Sequence, residues 1–222
     1  MQMDFKESST NTAKKPLLSI ARLNRCSRAL GPGNRAVIWT HGCSKHCPEC
    51  IAKDMNEAPP LFYHSAESLY AWVKSCNEIE GITISGGEPF EQNLPEMRSF
   101  LELVKHDPRD LSVLCYTGRL LSELQDDDST KAVLELIDIL IDGPYIPELN
   151  DGHKWRGSAN QNVHVLNKSF QTPFANIVNE FDRTIEVNLD KNLKMEITGI
   201  PPKDFIKRLD KRLEASGYSL SF

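Results

Sequence analysis

The sequence contains no apolar run approaching the roughly 18 residues that a membrane-spanning helix needs, so no span is expected. Residues 1–15 are polar and mixed in charge, without the apolar stretch of a secretory leader. The expectation is therefore a cytoplasmic protein with reduced thiols. Positive charge is also in deficit, with 26 Lys and Arg against 31 Asp and Glu and a net charge of −5. That balance argues against an extensive phosphate-gripping surface, and no direct nucleic-acid binding is expected; a nucleotide substrate stays open. No internal repeat is present. With 40% apolar and 26% charged residues over 222 positions, the chain has the composition of a globular protein long enough to bury a core.

Against these absences stand six cysteines: Cys26, Cys43, Cys47, Cys50, Cys76 and Cys115. Three of them fall within eight residues, which points to metal or redox chemistry rather than disulfides in a reducing compartment. Cys76 lies on the apolar face of a helical pattern and Cys115 inside a strand pattern, so both read as core residues. Cys26 is expected in the core as well, and is the one cysteine outside the loop that could serve as a spare ligand.

The hydrophobic pattern alternates strands with helices. Residues 17–23 read as a short edge strand and 36–40 as a buried strand that runs into the cysteine loop. A helix capped by Ser65 carries Leu69, Trp72, Val73 and Cys76, and residues 81–85 form the next strand. A helix opening near Pro95 carries Met97, Phe100, Leu101 and Val104. Strands at 112–116 and 137–141 flank a helical stretch broken at Asp126-Asp127-Asp128, and 163–165 forms a further strand. Such alternation predicts a parallel sheet whose ligands sit at the carboxyl ends of its strands. The unusual residues fall there each time: the cysteine loop, Gly86-Gly87-Glu88-Pro89, Thr117-Gly118 and Asp142-Gly143. One pocket built from four loops is the expectation. Beyond it, residues 184–189 and 193–198 alternate as a hairpin, and a helix over 203–216 ends at Gly217. The division is a mobile tail at 1–16, a core at 17–167 and an extension at 168–222 packed on that core.

The cysteine loop reads His41-Gly42-Cys43-Ser44-Lys45-His46-Cys47-Pro48-Glu49-Cys50. A structural zinc site wants four protein ligands, commonly two separated pairs, and no second pair follows; His41 or His46 leaves a three-cysteine, one-histidine zinc site open. A cubane iron–sulfur cluster takes three thiolates on three irons and leaves the fourth iron for a substrate or cofactor.

The loop, with Gly86-Gly87-Glu88-Pro89, resembles the signature of the radical S-adenosylmethionine superfamily. Gly31-Pro32-Gly33-Asn34-Arg35, Tyr116-Thr117-Gly118, Asp142-Gly143 and Gly157-Ser158-Ala159-Asn160-Gln161 resemble one subgroup, the activating enzymes of anaerobic ribonucleotide reductase and their pyruvate formate-lyase relatives. The likeness covers residues 17–166. It implies an incomplete (β/α) barrel of the small radical S-adenosylmethionine type with a C-terminal hairpin and helix added. It further implies that Cys43, Cys47 and Cys50 hold a 4Fe-4S cluster whose open iron chelates S-adenosylmethionine. Gly86, Gly87 and Glu88 would offer backbone groups to the cofactor's amino group, and Thr117, Asp142 and Asn160 would contact its remainder. Reductive cleavage would release a 5′-deoxyadenosyl radical that takes hydrogen from a glycyl radical enzyme, with flavodoxin or ferredoxin as electron donor. Modification of a peptide or small metabolite, and a non-catalytic zinc or iron–sulfur module, are the alternatives. Two departures stand out: Glu49 where the superfamily often has an aromatic residue, and the extension itself. Plainer roles are also open. Glu88 can cap a following helix, Asp142 can serve a turn, and the basic residues of the last helix can form a solvated face.

Overall fold

The computed structural model describes residues 17–57, 62–167, 183–189, 191 and 195–218. The predicted tail at 1–16 lies outside these, as does most of the predicted hairpin turn. Nine strands are described: β1 (Leu18–Ser27), β2 (Arg35–Thr40), β3 (Phe62–His64), β4 (Gly81–Gly86), β5 (Ser112–Tyr116), β6 (Ile139–Asp142), β7 (Asn162–Val165), β8 (Ile185–Leu189) and β9 (Met195–Gly199). The helices are α1 (Asp54–Glu57), α2 (Ala66–Lys74), α3 (Leu94–Lys105), α4 (Leu121–Gln125), α5 (Asp128–Leu134) and α6 (Phe205–Glu214). Among the described residues no helix is long and apolar enough to cross a membrane.

The first seven strands form one mixed sheet in the order β3-β1-β2-β4-β5-β6-β7. Its centre, β2-β4-β5-β6, is parallel, and β1, β3 and β7 join antiparallel. All six residues of β2 are buried, as a strand covered on both faces requires. The sheet is open, with β3 and β7 at its edges.

Two elements depart from the sequence pattern. The strand expected at 17–23 as a short edge is a ten-residue internal strand running to Ser27. Two register irregularities against β2 and the polar residues Arg22, Asn24 and Arg25 erase its alternation, so pairing rather than patterning makes it a strand. The true edge, β3, was not expected; three residues are too few to carry a period.

Helices cover one face of the sheet. Ile38, Ile82, Ile84, Val113, Cys115 and Leu140 meet Leu69, Val73, Met97, Phe100, Leu101 and Val104 there. Each such side chain contributes roughly 1.5–3 kcal/mol on burial. Helix starts are fixed locally: the Ser65 hydroxyl accepts from Ser68 N at 3.2 Å and the Asn93 carbonyl from Glu96 N at 2.9 Å. The aspartate run separates α4 from α5, with Asp127 accepting from Thr130 N at 2.9 Å. On the other face Leu114, Ile139 and Ile141 pack with Trp155, and Val37 and Trp39 with Leu30, joined by the partly buried Tyr116, Met55 and Ile200.

Arg35 closes the amino end of the parallel strands. Its fully buried guanidinium donates to Thr83 Oγ1 at 2.7 Å, Ser112 Oγ at 2.9 Å, Ile82 O at 2.5 Å and Pro32 O at 3.1 Å. Burial lowers its pKa to about 10, so it stays charged at neutral pH and its donors remain matched to oxygens. The charge thus serves the fold, at the end of the sheet opposite the cysteine loop.

β8 and β9 pair as the expected hairpin. Asn24 Nδ2 donates to Thr198 Oγ1 at 3.3 Å, and Arg28 N to Glu186 Oε1 at 2.7 Å. Arg183, just before β8, donates to Asn150 Oδ1 at 2.7 Å, His153 O at 2.9 Å and Arg156 O at 2.7 Å.

Candidate active site at the carboxyl ends of the parallel strands

The parallel register of β2 and β4 sets Thr40 beside Gly86, so the chains leaving both strands start out in contact. Gly87 N donates to Thr40 O and Glu88 N to Gly42 O, both at 2.8 Å. This junction explains the two glycines. Gly86 has a φ of +93°, and a Cβ on it would lie 2.7 Å from Thr40 O. A Cβ on Gly87 would lie 2.2 Å from Gly42 O. Backbone fills that space, so no side chain fits without moving the cysteine loop.

Two residues after the Gly-Gly-Glu-Pro turn hold the loop from below. Glu91 accepts from Ser44 N at 2.9 Å and from the Ser44 hydroxyl. Gln92 Nε2 donates to His41 O at 2.8 Å, while its Oε1 accepts from Ser19 N at 3.0 Å. Within the loop, His46 and Glu49 both adopt positive φ, so the chain turns back immediately before Cys47 and before Cys50. All three cysteines are half-buried free thiols. Burial pushes the Cys43 thiol up, opposed by backbone N–H groups of Lys45 and His46 aimed at its sulfur.

Glu88 is 1% exposed and joins the β4 loop to the β5 loop. Its carboxylate accepts from Thr117 Oγ1 at 2.7 Å, Gly118 N at 2.9 Å and Phe90 N at 3.1 Å. Burial pushes the carboxyl up, and these three donors oppose the shift by stabilising the anion. The capping role holds for the 3-10 turn Pro89–Glu91, and the link to Thr117 is added to it. Thr117 also accepts from Arg119 N at 3.1 Å. Asp142 is likewise engaged: Oδ2 accepts from Leu121 N at 2.7 Å and lies 3.1 Å from His164 Nε2, while Oδ1 takes Asn162 N at 3.3 Å. It therefore fastens β6, β7 and α4 and is more than a turn residue. Asn160 Nδ2 donates to Pro144 O at 2.7 Å, but its buried Oδ1 has no hydrogen-bond partner among the described residues.

The family model described as "4Fe-4S single cluster domain" matches residues 29–164. The anaerobic ribonucleoside-triphosphate reductase-activating protein of Vibrio cholerae is 34% identical over 140 residues, 60% of this chain and 89% of that protein. The protein of the same name from Escherichia coli K12 is 30% identical over 145 residues, covering 61% and 91%. That of Enterobacteria phage T4 is 29% identical over 145 residues, covering 64% and 90%. The chain belongs to this family of reductase-activating proteins.

For an activating protein of the single-cluster type the donor set fits. Cys43, Cys47 and Cys50 present three half-buried free thiols from one loop, the donor type that a 4Fe-4S cluster takes. Cys76 and Cys115 are 0% and 1% exposed and belong to the core of the activating protein, whereas Cys26, expected in the core too, is exposed at the polar end of β1.

The residues that sequence reasoning missed are the fasteners: Ser44, Glu91 and Gln92. Their only signal was proximity to a motif, and a Glu-Gln pair after a Gly-Gly-Glu-Pro turn carries no spacing rule of its own.

Proposed function

We propose that this chain is a radical S-adenosylmethionine activating enzyme that acts on an anaerobic ribonucleotide reductase. Cys43, Cys47 and Cys50 hold a 4Fe-4S cluster. When bound and reduced, the cluster supplies one electron that splits S-adenosylmethionine to methionine and a 5′-deoxyadenosyl radical, the oxidant that takes a hydrogen atom from a reductase glycine. The open seven-stranded sheet is read as the small incomplete barrel of this enzyme class, and its missing wall admits a protein loop as substrate.

The protein's own contribution is orientation and exclusion of water. Gly86, Gly87 and Glu88 would offer backbone groups to the cofactor's amino group. The vacant Asn160 Oδ1 offers a buried acceptor to another of its donors, since a buried acceptor without a partner costs about 1–3 kcal/mol until one arrives. Thr117 and Asp142 hold the loops that frame the cofactor. A soluble carrier such as flavodoxin or ferredoxin delivers the electron.

The observation that carries this reading is the fused junction in which Gly87 and Glu88 donate to Thr40 and Gly42 at 2.8 Å. It supports the reading by holding the three-thiol loop against the Gly-Gly-Glu backbone. The test is anaerobic purification and reconstitution with iron and sulfide, then addition of S-adenosylmethionine and dithionite. Cluster absorbance, released 5′-deoxyadenosine and a glycyl radical signal on mixing with an anaerobic ribonucleotide reductase are expected. Cys43→Ala removes all three, whereas Cys76→Ala retains them. A zinc protein without cluster from the anaerobic preparation refutes the proposal.

A further inference from the structure

The family model ends at residue 164, and the alignment with the Vibrio cholerae relative covers 89% of that protein but 60% of this chain. Arg183 lies beyond the matched segment, and all five of its N–H groups meet an oxygen. Nε donates to His153 O at 2.9 Å. Nη1 donates to Asn150 Oδ1 at 2.7 Å and Pro201 O at 3.4 Å, and Nη2 to Arg156 O at 2.7 Å and Gly157 O at 3.3 Å. All but the Pro201 oxygen belong to the connection between β6 and β7.

The grip reaches the candidate site through consecutive hydrogen bonds. Gly157 N and Ser158 N donate to Gln161 Oε1 at 2.7 and 3.2 Å, and Ala159 N donates to Leu149 O at 2.7 Å. Residues 157–161 are therefore one stitched unit, and Arg183 holds its first carbonyl. Asn160 sits inside that unit. Beside it, Gln161 Nε2 donates to Gly143 O at 2.8 Å, and Gly143 N donates to Arg119 O at 3.0 Å. Arg119 N donates in turn to Thr117 Oγ1, which holds Glu88. The series runs from the Gly-Gly-Glu turn across the β5 and β6 loops to residue 183. The hairpin that follows Arg183 is anchored elsewhere, on β1 through Asn24 and Arg28. β1 and β6 stand on opposite sides of the sheet centre, so the extension holds one half of the sheet while Arg183 grips the other.

We propose that Arg183 is a positioning residue for the S-adenosylmethionine site, acting through Asn160, and that the extension is thereby part of the cofactor pocket. This rests on the radical S-adenosylmethionine reading above. Asn160 Oδ1 is buried without a hydrogen-bond partner among the described residues. A loose loop would turn that oxygen to water and relieve the cost of leaving it dry. A loop clamped from outside keeps it dry and aimed, ready for a hydroxyl or amino donor. Holding the loop in its bound geometry beforehand also lowers the ordering entropy lost on binding, so the clamp raises affinity. Arg183 touches no reacting atom and takes no part in electron or hydrogen transfer.

The test uses the full reconstituted protein as wild type, Arg183→Ala, Arg183→Lys, Asn160→Ala and the double variant Arg183→Ala with Asn160→Ala. S-adenosylmethionine binding is read by equilibrium dialysis, with iron per chain measured on the same samples. Arg183→Ala is expected to bind about tenfold more weakly at unchanged iron content. Arg183→Lys keeps the charge but presents three donors from one point, so its affinity should fall between the two. It carries the test if the alanine variant does not fold. The KM for S-adenosylmethionine in 5′-deoxyadenosine release should rise by the same factor while kcat is kept, a split that mere loss of folded protein does not produce. Because Arg183 acts through Asn160, the double variant should bind no worse than the weaker single variant. Wild-type affinity in both Arg183 variants would overturn the proposal. Losses that multiply in the double variant, or a fall in iron that parallels the fall in binding, would overturn it too. Wild-type protein that assembles no cluster, or binds no S-adenosylmethionine, would overturn the enzyme reading itself.

Discussion

Replacing Gly87 with alanine asks for one carbon where backbone already stands. The new Cβ would lie 2.2 Å from Gly42 O and 2.9 Å from both Gly42 C and Gly42 N. The neighbour is main chain, so no side chain can swing aside. Either the cysteine loop or the Gly-Gly-Glu turn must move, and with it the hydrogen bonds from Gly87 N to Thr40 O and from Glu88 N to Gly42 O. Overpacking costs about 1–3 kcal/mol and each lost hydrogen bond about 1 kcal/mol, which gives about 3–5 kcal/mol in all. The proper control is Gly152→Ala, where φ is +84° but nothing lies within 4 Å of the new Cβ. That substitution carries only the left-handed penalty of about 1–2 kcal/mol. Urea unfolding midpoints and iron per chain after reconstitution measure both. Gly87→Ala should unfold much earlier and bind well under the wild-type iron, whereas Gly152→Ala should bind iron normally. Equal stability and iron content in the two variants would refute the claim that Gly87 is glycine because of the cysteine loop.

Glu88→Gln keeps the shape of the link but turns one acceptor into a donor facing Thr117 Oγ1 or Gly118 N. It should lose about 2 kcal/mol of stability and most S-adenosylmethionine cleavage while retaining cluster absorbance. Arg183→Ala removes the donors that grip Asn150, His153 and Arg156. Amide exchange over residues 150–157 should accelerate, with cluster content unchanged; unaltered exchange would show that the extension does not hold that loop. Asp107, buried against Arg109 at 2.8 Å, is held at about 2, below its usual value of 3.8. A folded-state value below the unfolded one means stability present at neutral pH that disappears as pH falls towards 2, about 2 kcal/mol in total. Asp107→Asn in cluster-free protein should therefore be less stable than wild type at pH 7, with the gap closing near pH 2 in urea titrations. A gap of constant size would sink the assignment.

Much of the fold was legible because its central strands announce themselves. Residues 36–40, 81–85 and 112–116 are apolar runs between turn signals, and in the structure they are the buried parallel strands. Ser65 reads as a cap because a serine before an apolar period has one economical use. β1 and β3 were not legible: the one is irregular and polar along its length, the other is three residues long. Their conformations follow from partners far away in sequence.

At the site the division is the same. Residue type and spacing alone point Cys43, Cys47 and Cys50 towards a metal centre, since thiolate donors are a local chemical fact, and the family resemblance marks Gly86 and Gly87 as places of close backbone approach. Which backbone approaches is a tertiary matter. Parallel register brings Thr40 beside Gly86, and the cysteine loop then meets Gly87. The roles of Glu88, Thr117 and Asp142 as fasteners between neighbouring loops were decided there as well. A carboxylate's partner depends on what folding brings within about 3 Å, and no local rule of composition or period encodes that distance.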